Sequence, residues 1–193
     1  MAYRDTLRQL ADDTERQVLT VYRSWLDGLL DQTETVRMIA YLIAQANGRA
    51  RSLADMAMAL QIMVQLDEVV PVPGVDHPDD TPRLLKSAST VLGTAEASEV
   101  PEKIVARLAR SEPLEAAASA ATDSMVRSGL TKGWVRDKSA NACQLCEWWW
   151  REGRVWPAEH PFQHHKGCTC SPRPVMKEGI KETWKTARAK GIR

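Results

Sequence analysis

All four cysteines of this 193-residue chain stand together near its C-terminus, as Cys143-Gln-Leu-Cys146 and then His165-Lys-Gly-Cys168-Thr-Cys170. A two-residue gap lets both thiolates of a pair reach one ion from a tight turn. The His165–Cys168 pair repeats that gap, so the two turns together have the spacing of a tetrahedral zinc site. Cys143 and Cys146 form the firm pair. His165 and Cys168 form the second, with Cys170 as the substitute that would complete a four-thiolate site. His160 and His164 are weaker candidates: His160 precedes Pro161, and His164 faces away from His165 if the chain there is extended.

The same residues could form two disulfides, so the compartment matters. The first residues, Met1 to Thr6, are polar and lack the apolar core of a secretory signal, and no apolar run is long enough to span a bilayer. The expectation is an intracellular chain with reduced thiols, where C-x-x-C reads as metal-binding or redox-active. A thioredoxin-like motif needs a βαβ setting, which the pattern lacks. Structural zinc is the reading adopted. Four protein ligands fill the tetrahedron and leave no open position for catalysis.

The chain before the cysteines reads as helical. Leu7, Leu10, Thr14, Val18, Val21, Trp25 and Leu29 recur at helical spacing, with a break from Gly28 to Thr33. A second segment from Thr33 to Val69 carries a stripe of Val36, Ile39, Ile43, Ala50, Leu53, Ala57, Leu60 and Val64, interrupted only by Gly48. Its methionines, Met38, Met56, Met58 and Met63, are expected to fill gaps in the packing. Pro71, Pro73, Gly74, Pro78 and Pro82 then exclude a helix, so this stretch is a linker or a loop over a partner, with His77 exposed in it. Helices resume at Pro82 and Pro101. Ser111 or Glu112 before Pro113 looks like a fresh cap for an alanine-rich helix ending at Gly129, with Ala117, Ala120 and Ala121 permitting close contact.

Composition shifts after Gly129. Five of the seven tryptophans lie between Trp134 and Trp156, and Lys132 to Asp137 reads as a strand leading to the first cysteine pair. Trp148-Trp149-Trp150 is read as extended, with one ring facing outward as a contact for another protein. Arg151 to Arg154 is read as a hairpin turn returning through Val155 and Trp156. So small a module buries little apolar surface, which is where a bound metal stabilises most. From Ser171 onward, Arg173, Lys177, Lys181, Lys185, Arg188, Lys190 and Arg193 stand against only Glu178 and Glu182, on a chain of net charge +1 overall. This basic tail, with Ile180, Trp184 and Ala187 at helical spacing, suggests an acidic surface or DNA as its partner.

The fold class expected is mainly α. It comprises a helical hairpin over 1–70, a Pro/Asp-rich linker over 71–82, a helical segment over 83–129, a small α+β zinc-binding module over 130–175 and a basic tail over 176–193. The run Gly133-Trp134-Val135-Arg136-Asp137, then Cys143-x-x-Cys146, then His165-x-x-Cys168-x-Cys170, resembles the C-terminal signature of the MuF-like family of phage minor head proteins. In that family a Trp-containing strand precedes a C-x-x-C, and the domain closes on His-Pro-x-Cys-Arg-Cys. Here Lys166 stands at the proline, Thr169 at the arginine, and the tryptophan run replaces a polar segment. The resemblance covers roughly 113–175. It implies a non-enzymatic minor capsid protein inside the virion near the portal vertex, made in a bacterial cytoplasm and contributing to head assembly. Its expected partners are portal, major capsid or scaffold proteins, and packaged DNA at the tail; no membrane or small-molecule substrate is implied.

Two other classes fit parts of the pattern. A zinc-ribbon nucleic-acid binder would use the tryptophans and basic tail together, but its aromatics should alternate with basic residues on a sheet, and only Arg151 and Arg154 do so. An HNH-like nuclease would use His164 or His165 as base, but no Asn or His follows His165 and no Asp follows Asp137.

Overall fold

The computed structural model describes residues 3–139 and 142–178. Helix α1, Tyr3–Leu26, buries Leu7, Thr14, Val18 and Val21 on one face as the spacing predicts, whereas Leu29 lies beyond its end and is exposed. Gly28 turns the chain at a φ of +73°, a conformation that favours glycine. Helix α2, Gln32–Leu66, opens with a reciprocal capping box: Glu34 N–H donates to Asp31 at 2.8 Å, and Asp31 N–H to the Glu34 carboxylate at 2.9 Å. It runs unbroken through Gly48. Helix α3 is Thr81–Glu96 and helix α4 is Pro101–Ser128, each with proline in its first turn.

These four helices pack together, with α2 against α4 the most extensive contact. Two clusters form the core. One joins Val18, Tyr22, Ile39, Ile43, Leu84, Leu92 and Val105. The other joins Ala50, Ala54, Met58 and Ile62 of α2 to Leu114, Ala117, Ala121 and Met125 of α4, and continues into the C-terminal module. Small side chains on both helices allow the close approach anticipated for Ala117, Ala120 and Ala121.

Three details of the helices differ from expectation. The apolar stripe of α2 is out of phase after Ala50: Ala54, Met58, Ile62 and Leu66 are buried, while Leu60 and Val64 are exposed. One residue is about 100° of rotation on a helix with 3.6 residues per turn. Both phases are apolar here, so spacing alone could not choose between them. Of the methionines, Met58 is buried and Met63 packs at the edge, but Met38 and Met56 lie on the surface. No new helix begins at Ser111 or Glu112. Pro113 sits inside α4, whose buried small-residue face holds the helix together across the missing N–H, and Glu112 is buried in a bidentate pair with Arg83 at 2.7 and 3.0 Å.

The proline-rich stretch after α2 is irregular and lies on the helices themselves. Val70 and Val75 enter the core, and the N–H groups of Gly74 and Val75 donate to the buried Asp55 carboxylate at 3.0 and 3.2 Å. Ser124 of α4 donates to the other oxygen of Asp55 at 2.7 Å, so one carboxylate joins α2, α4 and this loop. Arg127 adds a bond to the Gly74 carbonyl and an ion pair with Asp76. His77 is exposed, as anticipated.

The C-terminal module is a three-stranded antiparallel sheet with one short helix. Strand β1, Thr131–Asp137, lies between β2, Trp156–Pro157, and β3, Ser171–Met176. Gly129 ends α4 in the left-handed conformation, so β1 leaves directly from the bundle. Edge strand β3 tolerates Pro172 and Pro174 because prolines there need not donate to a further neighbour. Helix α5, Gln144–Trp150, carries the tryptophan run, which is therefore helical and not extended. Trp148 is 62% exposed, while Trp149 and Trp150 are half-buried. Arg151 to Gly153 forms a 3-10 turn with positive φ at Arg151 and Glu152, closing α5 instead of joining two strands. Of the tail over 176–193 only Met176, Lys177 and Glu178 are described; Ile180, Trp184 and Ala187 lie outside the described residues.

Candidate metal centre

The site grows from β1. Alternation puts Trp134 and Arg136 on the same inner face of the strand, and both are fully buried. Trp134 donates its indole N–H to the His160 carbonyl at 2.9 Å and packs against Phe162, with ring centroids 5.0 Å apart. His160 stacks on Trp156 at 4.5 Å, so this histidine belongs to the aromatic core of the module. That core fixes the chain between β2 and β3 and thereby positions residues 163–170 against the start of α5.

Two turns then present the donors. Cys143 precedes α5, its carbonyl accepting the first helical bond from Glu147 N–H at 3.0 Å. The second turn closes by Cys168 N–H donating to the His165 carbonyl at 3.0 Å, with Gly167 between them at a φ of +78°. His165 Nε2 sits 3.2 Å from Cys143 Sγ and 3.2 Å from Cys146 Sγ, and Cys146 Sγ sits 3.5 Å from Cys168 Sγ. Cys143, Cys146 and His165 thus form one group able to hold a metal ion. Cys146, Cys168 and Cys170 form a second that shares Cys146. All five residues anticipated from sequence converge, and none of the four cysteines is disulfide-bonded.

The donor set and spacing fit a metal. An ion with bonds of about 2.3 Å to sulfur and about 2.0 Å to nitrogen has tetrahedral edges of roughly 3.5–3.8 Å, close to the separations here. The imidazole is arranged for ligation. Its Nδ1 bonds the Lys166 carbonyl at 3.1 Å, which holds the proton on that nitrogen and leaves the Nε2 lone pair facing the sulfurs. His164 instead donates Nε2–H to the Cys168 carbonyl at 3.1 Å, and lies outside both groups. Its ring is near that of His165 rather than opposed to it, and burial holds its pKa below the ordinary value.

Electrostatics separates the sulfurs. The Cys146 backbone N–H at the start of α5 lowers the Cys143 thiol. Burial pushes Cys146 up to about 12. Cys168 and Cys170 share a proton: the hydrogen bond between them raises the Cys168 thiol and lowers that of Cys170 to about 4. Cys146 and Cys168 hold their protons until a cation replaces them, so metal binding here would release protons.

Sequence reasoning missed Arg136, although its place two residues after the core Trp134 marks it as inward-facing. Its Nη1 is 3.9 Å from Cys146 Sγ and its Nη2 donates to the Gln163 carbonyl. The guanidinium lies 4.1 Å from the Phe162 centroid and 5.2 Å from that of Trp149, which in turn packs against His165. The tryptophans do not alternate with basic residues on a sheet, because three of them ride on α5. Comparison with family models, curated proteins and solved structures finds no match to this chain.

Proposed function

We propose that this chain is a structural, non-enzymatic protein with a bound zinc ion, serving as a minor head component of a tailed-phage virion. The observation that carries the first part is the convergence of His165 Nε2 on two thiols at 3.2 Å, with Cys168 3.5 Å from the shared Cys146. Sulfur and imidazole donors this close together, in two groups that share Cys146, suit zinc. Cys143, Cys146, His165 and Cys168 would hold it, the last two from one closed turn, with Cys170 beside them. Bound there, zinc would tie α5 to the segment before β3 and so close the module; no position is left for a reacting water.

Support for the head-protein reading is the resemblance of residues 113–175 to the MuF-like signature. Trp134, both cysteine pairs and His165 meet in one module that follows directly on the alanine-rich α4. The helical bundle would dock on portal, capsid or scaffold proteins. Elemental analysis should find one zinc per chain, lost in Cys143→Ser or Cys146→Ser together with the near-UV tryptophan signal of residues 130–178. Metal-free protein with an unchanged tryptophan signal would sink the zinc reading. Absence of the protein from purified, fractionated virions would sink the head-protein reading and leave the zinc untouched.

A further inference from the structure

Arg136 is 1% exposed, yet no carboxylate lies within ion-pair distance of it among the described residues. Its Nε has no hydrogen-bond partner there either. A lone buried guanidinium is costly, because an ion leaving water loses several kcal/mol that only a nearby opposite charge restores. Phe162 and Trp149 supply π faces, which offset a part of that cost. The group beside it that becomes negative when a metal displaces its proton is Cys146, with Sγ at 3.9 Å from Nη1.

Charge arithmetic then separates the possible ligand sets. A divalent ion with three thiolates and one neutral imidazole carries a net charge of −1, which one guanidinium cancels. Four thiolates carry −2 and would leave one buried charge unmatched. We propose that Arg136 is the built-in countercharge of a centre made of three thiolates and His165, which makes Cys170 a neighbour of the ion and not a ligand. The proposal rests on the zinc reading. It adds the charge of the centre and a positioning residue outside the cysteine–histidine motif.

The test is titration of the full chain with cobalt(II), whose sulfur-to-metal charge-transfer band grows with each cobalt–thiolate bond. Cys170→Ser should bind one cobalt with the same band intensity as the parent, whereas Cys168→Ser should lose about a third of it. Arg136→Met should weaken cobalt binding about 10- to 100-fold, the usual effect of removing a partner that supports a ligand, without changing the band per bound ion. Arg136→Lys keeps the charge and should stay within a few-fold of the parent; it decides the matter if Arg136→Met does not fold. A Cys170→Ser variant that loses a quarter of the band would overturn the proposal. So would an Arg136→Met variant with parental affinity, or an Arg136→Lys variant that binds no better than the methionine one. A parent chain that binds no cobalt would instead remove the zinc reading itself.

Discussion

Gly133 offers a sharp test of how the sheet supports the metal-ligand turns. It lies on β1 opposite Pro157, beside a register irregularity in the pairing with β3. A Cβ at this position would overlap the Trp156 carbonyl oxygen, and would lie 3.0 Å from the carbonyl carbon and 3.1 Å from Val155 Cγ1. The obstacle is backbone, so no side-chain rotation relieves it. Gly133→Ala must therefore push β2 away from β1, and hydrogen bonds between the strands do not survive a shift of an ångström or more. Strand β2 has only two residues, and both of its pairings with β1 are at or next to Gly133.

Losing one or two of these bonds costs about 0.5–1.5 kcal/mol each. Loosening Trp156 from its stacks on Trp134 and His160 adds a roughly similar amount per pair. The expected destabilisation is about 2–4 kcal/mol. It should appear as a lower urea midpoint for the near-UV tryptophan transition, since Trp134 and Trp156 report on this region. The helical far-UV transition should move less, because the cluster around Val18, Ile43 and Leu92 does not touch the sheet. An alanine variant within about 0.5 kcal/mol of the parent, below the cost of even one such bond, would refute this account of the contact.

Two further perturbations probe the bundle. Asp55→Ala leaves the buried Ser124 hydroxyl and the Gly74 and Val75 N–H groups without their acceptor, and should cost about 3 kcal/mol; measured by urea unfolding, a loss under 1 kcal/mol would contradict it, and metal content should not change. Asp80 is partly buried, which opposes ionisation, but hydrogen bonds from Asn47 and Arg51 at 3.0 Å, with Arg83 nearby, outweigh burial and hold its carboxyl below its ordinary value of 3.8. Such a group stabilises the fold above its unfolded value and loses that contribution as pH falls through the folded one. Melting temperatures should therefore fall on acidification below about pH 4, the ordinary carboxylate range, and Asp80→Asn should flatten that decline; an equally steep acid limb in the variant would count against it.

Local chemistry made much of this chain legible. The phase of Leu7 to Val21 fixes the buried face of α1 without reference to any other segment. Gly129 ends α4, and the two-residue gaps within Cys143–Cys146 and within His165–Cys168 each put a pair of donors on one turn, whatever surrounds it. Each of these depends on neighbours a few residues apart, which is the range over which sequence is explicit.

The remaining features depended on partners distant in the chain. Leu53, Leu60 and Val64 make as good a stripe as Ala54, Met58 and Ile62, and only the small-residue face of α4 selects the second. Pro113 reads as a helix start until packing on both sides keeps α4 continuous through it. The tryptophan run has strand propensity, yet a turn led by Cys143 starts a helix there. Alternation from Trp134 turns Arg136 inward, but nothing local says what would surround a charge there. Its burial beside Cys146 arises only when the segments before α5 and before β3 close around it and bring the Phe162 and Trp149 rings and the Gln163 carbonyl against the guanidinium.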